Sequence, residues 1–163
     1  HDPYQSGENF INFISEYKNG TLILNIKESG IANDVLKIVK ASGIKSYFLL
    51  DVEFPYIFKS IKKKKKNIAI RFSEWESIKT ARLMINKFDW LWIDTVSKLP
   101  ITRDNLNIIK KFKSCIVCPE RWGRPKQIDL YKKKLNELKF KPTAVMTSIN
   151  YSKKWQQFNS SSY

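Results

Sequence analysis

The 163-residue sequence predicts a parallel α/β fold. Three observations predict it. Short apolar runs recur at intervals of about 20 to 30 residues, the spacing of successive βα units. The runs are nearly continuous rather than alternating, which suits strands covered on both faces. Between them lie stretches whose apolar residues repeat with the period of a helix.

Taken in order, the first strand is expected over 22–26, followed by a helix over 31–41. That helix opens on Asn33-Asp34 after a glycine and closes at Gly43, which readily takes the left-handed conformation that ends helices. A second strand over 47–50 leads to a helix over 56–61, and the lysine run 62–66 reads as a solvated loop at its end. The third strand, 68–72, precedes a helix over 77–85, with Ser73 ahead of Glu76 as its start signal. The fourth, 90–93, precedes a helix over 104–112 entered at Asp104. The fifth, 115–117, and a helix over 126–138 lead to the sixth strand at 143–146.

Six such units in series build either an open doubly wound sheet or most of a barrel. Only five glycines are present, and none stands in a G-x-G-x-x-G or P-loop pattern, so the nucleotide-binding open sheet loses its main support. The expected fold is therefore a (β/α)8 TIM-type barrel, incomplete at its N-terminus, with about six βα units. A closed barrel typically takes about 250 residues, and the abrupt opening His1-Asp2-Pro3 suits a chain whose first two strands lie upstream. Residues 1–148 would form the barrel segment and 149–163 a polar C-terminal helix or tail.

Thirty basic residues against fifteen acidic ones give a net charge of +15. Of the basic residues 25 are Lys and only 5 Arg, whereas readers of phosphates and bases lean on the planar fork of Arg. Lys, Asn and Ile are abundant together, as an AT-rich bacterial coding bias would produce. Nucleic acid is therefore not the expected partner; that reading would rest on charge and on exposed aromatics such as Trp155. The longest apolar runs, such as 47–50, fall far short of the ~20 residues of a membrane span. No span is expected, and the location is expected to be cytoplasmic.

In a parallel barrel the functional groups gather at the carboxyl ends of the strands. Asn25 and Lys27 share a face there by the period of two. Asp51 and Glu53 end the second strand, Arg71 and Glu74 the third, Asp94 the fourth, Glu120 the fifth and Thr147 the sixth. The strand bodies are apolar, so polarity rises toward one end of every strand. The lone histidine, His1, is either a proton-transfer group oriented by Asp2 or a terminal residue without function. Cys115 and Cys118 would point to opposite faces of a strand and read as buried, reduced thiols.

These residues carry a family resemblance. The chain resembles the glycerophosphodiester phosphodiesterases, within the phospholipase-C-like phosphodiesterase barrels. The likeness rests on His1-Asp2-Pro3, on Leu22-Ile23-Leu24-Asn25-Ile26-Lys27, on Phe48-Leu49-Leu50-Asp51, on Trp92-Ile93-Asp94-Thr95 and on Cys118-Pro119-Glu120, and it extends to about Thr147. The resemblance implies hydrolysis of a glycerol-type phosphodiester by metal-assisted general acid-base catalysis. It implies His1 as the group that protonates the leaving alkoxide and Lys27 as the support for charge at the phosphate. Asn25 stands at the position of a metal-binding Glu, for a divalent cation such as Mg²⁺ or Ca²⁺, and offers a weaker oxygen ligand. The family's other histidine, with its arginine, and an acidic pair would lie upstream of His1. Arg71, Glu74, Asp94 and Glu120 are expected to bind the small phosphodiester substrate. The alternative expectation is a non-catalytic relative that binds a sugar phosphate.

Overall fold

The computed structural model of the chain describes residues 6–160, those from 157 onward by backbone alone. The chain divides after Ile68 into two compact units.

The first unit opens with α1 (Phe10–Glu16), a helix the apolar pattern did not single out, capped where Ile11 N donates to Asn9 Oδ1 at 2.9 Å. β1 (Leu22–Asn25) then pairs in parallel with β2 (Tyr47–Leu50), Leu22 opposite Tyr47 and Asn25 opposite Leu50. The crossover helix α2 (Ala32–Ala41) buries Ala32, Leu36 and Val39, four and then three residues apart, so one stripe faces inward. Gly43 follows at φ 72°, as its helix-ending role requires. After β2 comes α3 (Phe54–Lys62), with Pro55 in its first turn, where a missing N–H costs no helical bond. Beyond α3, Ile68 makes a single parallel bridge to Leu49, whose N–H donates to Asn67 O at 3.0 Å.

The second unit is a four-stranded parallel sheet in sequence order: β3 (Ala69–Phe72), β4 (Trp90–Ile93), β5 (Lys113–Val117) and β6 (Ala144–Met146). Helices α4 (Ile78–Leu83), α5 (Arg103–Ile109) and α6 (Ile128–Glu137) make the crossovers, and α7 (Ser152–Ser160) follows β6. All four residues of β4 are buried. Leu91, Ile93, Ile109, Ile116, Ile128 and Leu135 expose no surface at all, and strand and helix residues thus share one core.

The barrel expectation is overturned. Among the described residues six strands form two parallel sheets, one of two strands and one of four, too few for a (β/α)8 barrel. The error has a physical source. Apolar runs with βα spacing are the same in an open parallel sheet and in a barrel, because closure depends on strand tilt and stagger, which local periodicity does not encode.

Smaller differences also have causes. Ser73 does not start α4. Its hydroxyl accepts from Trp75 N and Glu76 N and donates to Glu76 Oε2 at 2.7 Å, closing a turn, while Ser77 caps the helix. α5 starts at Arg103, and Thr102 N donates to Asn105 Oδ1 at 2.9 Å. Trp155, expected to be exposed, is 2% exposed, so the aromatic support for a nucleic-acid surface disappears there. No helix among the described residues is long and apolar enough to cross a membrane.

Candidate functional site

Parallel strands bring their carboxyl ends to one edge of a sheet, where loops and helix starts can surround a ligand. In the first unit β1 runs on into Ile26-Lys27 and β2 into Asp51-Val52-Glu53. The hydrogen bond from Ile26 N to Leu50 O, 2.9 Å, carries the pairing to this end. The Lys27 ammonium donates to the Asp51 carboxylate, with Lys27 about half exposed and Asp51 largely covered. One turn on, the Ser29 hydroxyl donates to Glu53. Asp51 holds φ at 59°, left-handed for a non-glycine residue, a conformation that Asp tolerates better than most side chains.

Lys27, Ser29, Asp51, Glu53 and the half-buried Tyr56 line a cleft of about 100 Å³ over Gly30 and Ala32. That size suits a few waters or a short polyol. Burial, and the nearby Tyr47, push the Tyr56 hydroxyl upward, so it stays protonated and able to donate at neutral pH.

The second unit gathers a different set. Arg71, in β3, donates through Nη2 to Asp94, which directly follows β4, and its Nε lies 3.1 Å from Glu76 Oε1. Asp94 is buried at 3% exposure. Desolvation raises its pKa and Glu76 adds to the rise; the Arg71 guanidinium opposes both without reversing them. Glu74 goes the other way. Burial pushes it upward, yet hydrogen bonds from Ser97 and from nearby backbone amides hold it below the usual range. Glu120 accepts from the Thr147 hydroxyl. Glu74 Oε2 and Glu120 Oε2 are both buried without a hydrogen-bond donor among the described residues.

Arg124 holds the loop after β4 in place. Its guanidinium donates to the carbonyls of Thr95, Val96 (3.0 Å) and Ser97 (2.7 Å), to Gln127 and to the Tyr131 hydroxyl (3.1 Å). Ser97 N in turn donates to Glu74. The loop that Arg124 clamps thus positions Glu74.

Of the expected site residues, Arg71 and Asp94 are joined directly, while Glu74 and Glu120 stand at strand ends of the same sheet, and Lys27 lines the cleft of the first unit. His1 lies outside the described residues. Asn25 is exposed and does not line the cleft. No group of three acidic, His or Cys side chains able to hold a metal gathers among the described residues. Asn25 offers a divalent cation a single neutral oxygen ligand, and no chemical step is assigned to one. Arg124 and Tyr56 were not singled out from sequence, and Glu76 was read only as part of a helix start. Arg124 stands just after Gly123, whose φ of 72° turns the chain. Compared with family models, curated proteins and solved structures, the chain matches none of them.

Proposed function

We propose that the chain binds a small polyhydroxylated phosphate ester, a sugar or glycerol phosphate, at the carboxyl ends of its parallel strands. The observation that carries this reading is the cleft of about 100 Å³ at the ends of β1 and β2, where Lys27, Ser29, Asp51 and Glu53 converge beside the protonated Tyr56 hydroxyl. Carboxylates accept hydrogen bonds from vicinal hydroxyls, and the Lys27 ammonium, already oriented by Asp51, donates to a hydroxyl oxygen with little further ordering. The size of the cleft favours a short polyol over a drug-sized ligand, for which pockets of about 300 Å³ and more are usual. The test is a thermal-shift and calorimetric comparison of glycerol 3-phosphate and ribose 5-phosphate. Saturable stabilisation by either ester that Glu53→Gln weakens about tenfold supports the reading. No stabilisation of the folded chain by any phosphorylated polyol contradicts it.

Hydrolysis of a glycerol-type phosphodiester is the second reading. The pairing of buried Asp94 with Arg71 at the strand ends favours it, since a carboxyl group placed there can exchange a proton with a leaving alkoxide while a guanidinium steadies the phosphate. Incubation with a glycerophosphodiester, with Asp94→Asn as the comparison, separates turnover from binding. Release of alcohol that the substitution abolishes would establish this reading; binding without release would leave only the first.

A further inference from the structure

Beside the strand-end cleft lies a second, larger pocket of about 200 Å³ on the α2–α3 side of the first unit, and its chemistry is different. Asn33, Tyr56, Lys59, Ser60, Lys63 and Lys65 line it, and it shares Gly30, Glu53 and Tyr56 with the first cleft. The lysine run 62–66 is therefore not a uniform solvated loop. Lys62 sits with its ammonium 4.8 Å from the centre of the Phe58 ring, away from the pocket. Lys63 and Lys65 line the pocket, and Lys59, one helical turn before Lys63, joins them.

The end of α3 explains this selection. Lys64 takes φ 54°, its N–H donates to Ile61 O at 3.0 Å, and Lys65 N donates to Ser60 O at 2.9 Å. This is a Schellman closure of the helix. The left-handed residue reverses the chain, so that Lys65 comes back alongside the last turn instead of continuing away from it. Glycine ordinarily occupies that position because a side chain there costs roughly 1 kcal/mol. Three lysines thus line one concavity against the single glutamate Glu53, an excess of two positively charged residues. None of the three makes an ion pair among the described residues. At the rim, the Tyr56 hydroxyl and Asn33 Oδ1 hold one another at 3.4 Å, adding neutral hydrogen-bonding groups.

We infer that the pocket of Lys59, Lys63 and Lys65 is a binding site for a phosphate-monoester dianion. The excess charge matches the dianion, and each ammonium supplies hydrogen-bond donors that a tetrahedral phosphate accepts. The inference deepens the reading of a polyol phosphate and rests on it. The polyol lies in the Asp51–Glu53 cleft and its phosphate in the lysine pocket, with Glu53 and Tyr56 lining both.

The test titrates the full chain with inorganic phosphate by calorimetry, in buffer of constant ionic strength. Lys63→Ala and Lys65→Ala are each expected to weaken binding about tenfold, the loss of one charge-assisted contact. Lys62→Ala, and Lys64→Gly, which keeps the turn, are expected to change it less than twofold. Equal losses at all four positions would show a diffuse positive surface and overturn the inference, as would failure of the folded wild type to bind phosphate. The failures of the two readings are distinguishable. If ribose 5-phosphate binds and Glu53→Gln weakens it while Lys63→Ala and Lys65→Ala do not, the strand-end site stands and the lysine pocket falls. If phosphate binds through the lysines while no polyol phosphate binds more tightly than phosphate alone, the pocket stands and the polyol cleft falls.

Discussion

Arg71 and Asp94 stand on adjacent parallel strand ends, and the guanidinium of the first donates to the buried carboxylate of the second. The pairing register explains it. Arg71 is opposite Trp92 in the sheet, and Asp94 N donates to Phe72 O at 2.9 Å, so the two side chains emerge at the same edge. Glu76 takes the guanidinium from another side at 3.1 Å, so Arg71 is gripped by two acids.

This arrangement has a pH signature. Burial raises the Asp94 pKa above its ordinary 3.8, so the folded chain holds that proton more tightly than the unfolded chain does. Its contribution to stability is present below that ordinary value and is lost as pH rises through the raised one. The difference in urea-unfolding free energy between the wild type and Asp94→Asn, measured from pH 3 to pH 7, should therefore move against the wild type as pH rises. A difference independent of pH would mean that Asp94 titrates as it does in the unfolded chain.

Arg124 makes a second, sharper prediction. Its guanidinium spans three consecutive carbonyls, Thr95 to Ser97, a geometry that five donors in a fixed plane satisfy and an ammonium does not. Arg124→Ala should cost about 1 kcal/mol, since the hydrogen bonds it removes are exposed or only part-buried. Arg124→Lys should recover less than half of that. Denaturant midpoints decide, and full rescue by Lys would show that charge alone matters there.

Both thiols should be inert in the folded chain. Cys115 and Cys118 are buried and unbridged; burial pushes the Cys115 pKa up to about 12 and that of Cys118 upward as well. Since the thiolate is the reactive species, a disulfide-exchange reagent such as DTNB should titrate no thiol in native buffer and two in guanidinium. Fast labelling of either under native conditions contradicts this burial.

At Leu91, fully buried in β4 between β3 and β5, substitution by Ala should cost about 3 kcal/mol, the typical sum of lost transfer energy and cavity. Thermal or urea unfolding reads it directly. A loss under 1 kcal/mol would mean that the site collapses around the smaller side chain.

Much of this architecture is legible in the residues. The strands lie on apolar runs: β4, over Trp90–Ile93, is buried at every residue and its run is uninterrupted, while β1 alternates buried and exposed. The polar residues Lys27, Asp51, Asp94 and Glu120, just past those runs, and Arg71, near the end of its run, do lie toward the carboxyl ends of parallel strands. What the residues hide is anything set by long-range geometry. Sheet closure is one instance. The grip of Arg124 on a loop nearly thirty residues earlier is another, as is the turn at Lys64 that selects Lys63 and Lys65 out of five consecutive lysines. Start signals misled where a side chain had a competing local role: Ser73 satisfies the amides of its own turn instead of opening α4.

The central claim is that a polyol phosphate sits at the ends of β1 and β2. A ¹⁵N-resolved titration of the full chain with ribose 5-phosphate tests it most directly. The account predicts saturable shifts concentrated in the amides of 27–30 and 51–56, around Lys27, Asp51 and Glu53, and their loss in Glu53→Gln. Shifts spread over the lysine-rich surface without saturation, or none at 27–30 and 51–56, would contradict it.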